Sequence, residues 1–165
     1  MEKPTKWRKP PAAPLAPEAL AAIAQRLALG GVDLIKDDHG IADQAYSPFA
    51  TRVEAVSSAV QEANAAAGGR TLYAPNLSGT LDDMRRQLDI VRRQGVCAVL
   101  VAPMIAGLAN FHAVVKAAEG LVVIAHPALS GVTRMASPLL LGKLCRLLGA
   151  DATIFPHAGG RFGFS

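Results

Sequence analysis

Aromatic residues are scarce, at 5% of the 165 positions, although 51% of the chain is hydrophobic. A core drawn from this pool is aliphatic, built from Ala, Val, Leu and Ile, which suits helices packed on a parallel sheet better than an all-β sandwich. Long apolar runs are also lacking. Those present, such as residues 121–125, are strand-sized, far short of the ~20 residues that span a bilayer, so no membrane partner is expected. No charged-then-apolar leader with a small-residue cleavage site opens the sequence, which argues against secretion. Cysteine is limited to Cys97 and Cys145, in apolar segments and without metal-type or disulfide spacing. That pattern fits buried free thiols in a reducing, cytoplasmic setting.

Acidic residues are outnumbered, 13 against 17 Lys and Arg, for a net charge of +4. An excess of this sign can serve an anionic partner. Here, however, Arg85, Arg86, Arg92 and Arg93 fall one or two turns apart on one side of an expected helix, with no interleaved aromatics. The pattern describes a solvated outer face, and no nucleic-acid partner is expected.

What the chain has is a regular alternation. Residues 1–16 are rich in Pro and Lys and read as an irregular arm; residues 17–165 read as one α/β unit. A helix is expected from Pro17 to Leu29, with proline in its first turn and Gly30-Gly31 as its stop. Strand 32–38 follows, then a helix opening at Ser47-Pro48 with Val53, Val56, Val60 and Ala63 on one face and Gly68-Gly69 at its end. Strand 71–76 precedes a helix that Thr80 and Asp83 mark with capping-box spacing. Strands 97–103, 121–127 and 152–157 alternate with helices near 110–119 and 137–149. Strands this uniformly apolar are buried on both faces, which implies a parallel sheet with right-handed crossovers. The pattern allows an open flavodoxin-like sheet or a segment of a (β/α)8 barrel; a closed barrel needs ~250 residues.

Both architectures place ligands at the carboxyl ends of strands. Those ends carry Lys36, Asp37, Asp38 and His39, then Asn76 and Ser78, then His126, then His157. The remaining histidine, His112, lies on a helix and reads as a surface or satisfied residue. Alternation along a strand points Lys36 and Asp38 to the same side. A lysine beside carboxylates makes an ion pair unless desolvation frees its amine to act as a base, form a Schiff base or take up CO2 as a metal-binding carbamate.

The segment GGVDLIKDDHG (30–40) resembles the metal motif at the end of the second barrel strand in the ribulose-bisphosphate carboxylase (RuBisCO) large-chain family. The resemblance implies that Lys36 is the carbamylated lysine and that Lys36, Asp38 and His39 hold a divalent metal. His39 stands where the family has glutamate, which weakens the case for Mg2+ and favours Mn2+ or Zn2+. LVVIAHPALSG (121–131) resembles the fifth strand, with His126 at an active-site histidine and Pro127 in place of a phosphate-binding arginine. ATIFPHAGG (152–160) resembles the sixth, with His157 at a substrate-contacting histidine and Gly159 and Gly160 beside it.

Lys36, His126 and His157 are thus the implied catalytic residues, and Asn76, Gly159 and Gly160 the implied substrate- or phosphate-binding ones. Phe164 falls where the family's mobile loop carries a lysine, and YAPNLSG and VAPMIAG are similar to the non-carboxylating relatives. The implied fold is a partial (β/α)8 barrel of about five parallel βα units, strands two to six. The implied activity is that of a RuBisCO-like lyase or isomerase enolising a small phosphorylated sugar or keto acid, rather than fixing CO2. The family also implies a homodimer and further segments outside this sequence, so little or no turnover is expected of the 165-residue chain alone. A non-catalytic remnant or oligomerising module, and a stand-alone flavodoxin-like binding domain, are the competing readings.

Overall fold

The computed structural model describes residues 16–155, so nearly all of the proline-rich arm, and His157, Gly159 and Gly160, lie outside the described residues. Helix α1 (Pro17–Leu29) leads to β1 (Leu34–Lys36), α2 (Phe49–Ala67), β2 (Leu72–Ala74), β3 (Asn76–Leu77) and α3 (Leu81–Arg93). Then come β4 (Ala98–Val101), α4 (Pro103–Ala106), α5 (Leu108–Ala117) and β5 (Val122–Ala125). A π-helical segment, Pro138–Leu144, runs on into α6 (Cys145–Leu147), and β6 (Ala152–Thr153) ends the described chain. None of these helices is long and apolar enough to cross a membrane.

The strand expected over 71–76 is interrupted at Pro75, which has no N–H to give a ladder. Its first half, β2, pairs with β1; its second half, β3, pairs with β4, and the Leu100 N–H reaches the Pro75 carbonyl at 2.9 Å. The helix expected over 137–149 takes π geometry for most of its length, a choice that its leucine-rich sequence does not signal. Helix α3 keeps the expected capping box, with the Asp83 N–H donating to Thr80 Oγ1 and Thr80 N–H donating to Asp83. Of the two free cysteines, Cys145 is buried as expected but Cys97 is exposed.

All strand pairs are parallel, and each strand lies beside the next in sequence, from β1 through β2/β3, β4 and β5 to β6. A doubly wound sheet must reverse its order at a switch point. This one does not, and the flavodoxin-like reading is corrected on that ground: the order is that of a (β/α) barrel segment. The core agrees. Tyr73, Val99, Val101, Val123 and Ala125 share one cluster with Val53, Val56, Val60 and Ala63 of α2 and Met84, Leu88 and Val91 of α3. The opposite face gathers strand residues alone, Ala74, Ala98, Leu100 and Ile124 with Ile154 packed on them. All helices that contribute to the core therefore cover one face, as on the outside of a barrel. Register places Lys36 level with Ala74, and Leu100 level with Ile124, so the even-numbered positions line the inner face.

One interaction crosses from this sheet to its helical cover. Asp37, at the end of β1, points outward and is only 8% exposed; Arg52, on the first turns of α2, is fully buried. Arg52 Nε donates to Asp37 Oδ2 at 3.1 Å, and Arg52 Nη1 donates to the carbonyls of Ser47 at 2.7 Å and Ala42 at 3.1 Å. Tyr73 OH donates to Asp37 Oδ1 at 2.9 Å, and burial beside that carboxylate holds the phenol well above its ordinary pKa. Removing one partner of a buried pair strands the other charge, a loss of about 3–5 kcal/mol. Arg52→Met is therefore expected to lower unfolding free energy in urea by that order. Asp37→Asn combined with Arg52→Met is expected to recover much of the loss. A single-variant cost below ~1 kcal/mol would contradict this role for the pair.

Candidate functional site at the strand ends

Because Asp37 is committed to the helical side, its neighbours Lys36 and Asp38 face the other way and are exposed. Lys36 Nζ donates to the Asp37 carbonyl at 3.3 Å. Asp38 Oδ1 accepts the Gly40 N–H at 2.7 Å, closing a tight turn, and lies 3.9 Å from His39 Nδ1. A Cβ at Gly40 would sit 3.0 Å from that same Asp38 oxygen. The chain then passes to α2, whose N-cap residue, Pro48, supplies no side-chain cap. Phe49 N–H instead donates to Asp43 Oδ1 at 2.7 Å, with Pro48 at the cap position.

His39 leaves this loop to stack on His126, with ring centroids 4.3 Å apart and planes 21° from parallel. His126 follows β5, three strands from β1. In a flat sheet that separation would be about 14 Å, three inter-strand spacings. Curvature of the sheet and the reach of the 37–48 loop together close the gap. The His126 backbone N–H donates to the Val101 carbonyl at 2.8 Å, which fixes the residue at the strand end. Its Nδ1 accepts the Ala128 N–H at 3.1 Å, so the neutral ring carries its proton on Nε2. The backbone turns sharply just beyond, with Leu129 left-handed at φ 61°. Partial burial first, then the His39 and Lys36 charges, lower the His126 pKa to about 4, against a smaller opposing effect of Asp38.

Lys36, Asp38, His39 and His126 are thus brought to one place. Asn76 adjoins them and is buried, its Nδ2 donating to the carbonyls of His39 at 3.2 Å and Ile41 at 3.0 Å. His112, on α5, has its Nδ1 3.2 Å from the Leu148 carbonyl, a satisfied helix histidine. Arg85, Arg86 and Arg92 pair with Asp82, Asp83 and Asp89 one turn earlier, as a solvated face does. The divalent metal that the family resemblance implies finds an incomplete donor set. Asp38 and His39 approach each other, but no three of His, Cys, Asp and Glu converge among the described residues. As unmodified side chains they do not complete a metal site, and Lys36 would have to bind as a carbamate to add a third donor.

Sequence reasoning missed Arg52 and Tyr73. The signal for Arg52 was a single charged residue inside the apolar stripe of α2, three positions after Phe49 and four before Val56, all of them buried. Tyr73 carried none, since an aromatic in a buried strand is ordinary.

Residues 9–161 match the family model described as ribulose bisphosphate carboxylase large chain, catalytic domain. This chain belongs to that family. It is 70% identical over 151 residues to ribulose bisphosphate carboxylase-like protein 1 of Rhodopseudomonas palustris, covering 92% of this chain and 41% of that one. It is 56% identical over 151 residues to 5-methylthioribulose-1-phosphate isomerase of Rhodospirillum rubrum, covering 92% and 40%. A crystal structure of a Rubisco-like protein from Rhodopseudomonas palustris superposes with a TM-score of 0.89 at 71% identity, over 92% of this chain and 43% of that one. The chain therefore spans about two fifths of the length of these relatives.

Within this family frame the histidine pair has a measurable consequence. A lowered pKa keeps the folded state from binding a proton that the unfolded state takes up near pH 6.5, so stability rises with pH between about 4 and 6.5. In an NMR titration the His126 ring is expected to stay neutral until about pH 4. His39→Ala should raise that midpoint only in part, because burial is the larger cause. A midpoint at or above the ordinary histidine value would overturn the geometry.

Proposed function

We propose that these strand ends belong to a RuBisCO-like isomerase or lyase that moves a proton next to the carbonyl of a small phosphorylated sugar or keto acid. The observation that carries the reading is the meeting of Lys36, His39 and a neutral His126 at the carboxyl ends of strands otherwise lined with aliphatic side chains. Enolisation needs a group that takes the proton and a donor that meets charge developing on the carbonyl oxygen. With Nδ1 occupied by the Ala128 N–H, His126 offers Nε2–H as that donor. It would retain this form across the neutral range. His39, or Lys36 once its amine is deprotonated or carbamylated, is the acceptor, and each faces the same open side. Of the alternatives, isomerisation of a 5-methylthioribulose phosphate is favoured, because the Rhodospirillum rubrum isomerase shares 56% of the aligned positions.

The divalent metal of the family, with Lys36 as carbamate beside Asp38 and His39, remains part of the proposal, as does His157 as a further substrate-contacting residue. A homodimer is the assembly this reading entails. Turnover needs more of the family's length than the 165 residues supply. The direct test is therefore a chimera, with this chain replacing the matching segment of the Rhodospirillum rubrum isomerase. It is expected to exchange deuterium from solvent into 5-methylthioribulose 1-phosphate and to isomerise it. Lys36→Ala and His126→Ala should each slow exchange by about 100-fold or more. A folded chimera with no exchange would refute the proposal.

A further inference from the structure

The geometry points to Asn76 as a positioning residue that acts through His39, rather than as the substrate contact its place at a strand end suggests. Its amide has nothing left for a ligand. Both Nδ2 protons go to carbonyls, of His39 at 3.2 Å and Ile41 at 3.0 Å, and only a donor can face two acceptors. The oxygen of that amide is buried, and Asn76 as a whole is 1% exposed.

What the amide holds is the turn that presents His39. Among the described residues, the bond from Asn76 is the one hydrogen bond in which His39 takes part. The His39 ring has its stacking on His126, and its Nδ1 lies 3.9 Å from Asp38. Just beyond, the Ile41 N–H donates to the Asp38 carbonyl at 3.0 Å, so bonds to the carbonyls of His39 and Ile41 grip the turn on both sides of Gly40. The clamp itself has a fixed seat. Asn76 opens β3, in register with Leu100 of β4, and its backbone N–H donates to Asp37 Oδ2 at 3.3 Å. It therefore stands on the sheet between the β1 loop and β5, whose end carries His126.

Proton transfer is sensitive to placement, and a displacement of about 1 Å can cost on the order of 100-fold in rate. A residue that fixes the backbone beneath an acceptor therefore matters without touching the substrate. This role deepens the enolisation reading and rests on it only for what the held ring does to the substrate.

NMR of the 165-residue chain reads the placement without turnover. The Asn76 side-chain protons are expected to exchange with solvent about 10-fold or more slower than those of an exposed amide, and cross-ring NOEs should join His39 to His126. Asn76→Leu, which fills the same space without donors, should remove those NOEs while the β4 amides stay protected. Fast exchange of the Asn76 protons, or NOEs that survive in a folded Asn76→Leu chain, would overturn the positioning role. The exchange measurement needs no variant and decides where Asn76→Leu fails to fold. Deuterium exchange into substrate by the chimera then tests the link to His39. Asn76→Leu is expected to slow it about 10-fold, but by less than about twofold further once His39→Ala is present, as for residues that act through one group. Equal slowing in both backgrounds is what a merely structural role would give, and it would overturn the link. An inactive chimera with the NMR result intact would leave the positioning standing and remove the enolisation reading.

Discussion

The pairing of Asp37 with Arg52 is the constraint on which the arrangement of the strand ends depends. A carboxylate and a guanidinium this deeply buried cost several kcal/mol each to desolvate, and their attraction offsets that only with well-placed additional hydrogen bonds. The additional bonds are present. Arg52 reaches the carbonyls of Ala42 and Ser47, while Asp37 also accepts from Tyr73. The pair therefore ties three things together: the end of β1, the start of α2 and the middle of the loop between them. That loop carries Asp38 and His39, and its own internal bonds are few and local.

From this anchor, the alternation of a single strand distributes the roles. Asp37 is spent on structure on the helical side, and because side chains alternate, Lys36 and Asp38 are turned to the inner face. Curvature of the sheet does the rest, carrying His126 from three strands away into contact with His39. Among the described residues neither histidine is held by a carboxylate within hydrogen-bonding distance, Asp38 lying 3.9 Å from His39. His126 is oriented by a backbone N–H accepted at Nδ1, which places the proton of the neutral ring on Nε2.

The parts of this arrangement that obey a period were legible in the sequence. The helices from 17 and 81, the apolar stripe at 53, 56, 60 and 63, and the capping box at Thr80 and Asp83 all follow from spacing alone. The clustering of polar residues at strand ends followed too, because they stand out against aliphatic strands. What was not legible depends on contacts between distant segments. Periodicity alone did not choose between barrel and doubly wound sheet; strand order did. The charge at Arg52 lay in plain view within an apolar stripe, but its partner, 15 residues earlier, was read with the exposed cluster rather than apart from it. The spent amide protons of Asn76 depend on two carbonyls that no side-chain pattern reveals.

Backbone amide hydrogen exchange tests most directly whether the buried pair holds the loop that presents His39. In the parent chain the amides of Ile41, Ser47 and Phe49, bonded to the Asp38 carbonyl, the Gln44 carbonyl and Asp43 Oδ1, should exchange slowly. In the variant carrying both Asp37→Asn and Arg52→Met, they should exchange much faster while the amides of β4 remain slow, the signature of a local opening. Unchanged protection of those three amides in the double variant would show that the loop holds itself, and would contradict the account.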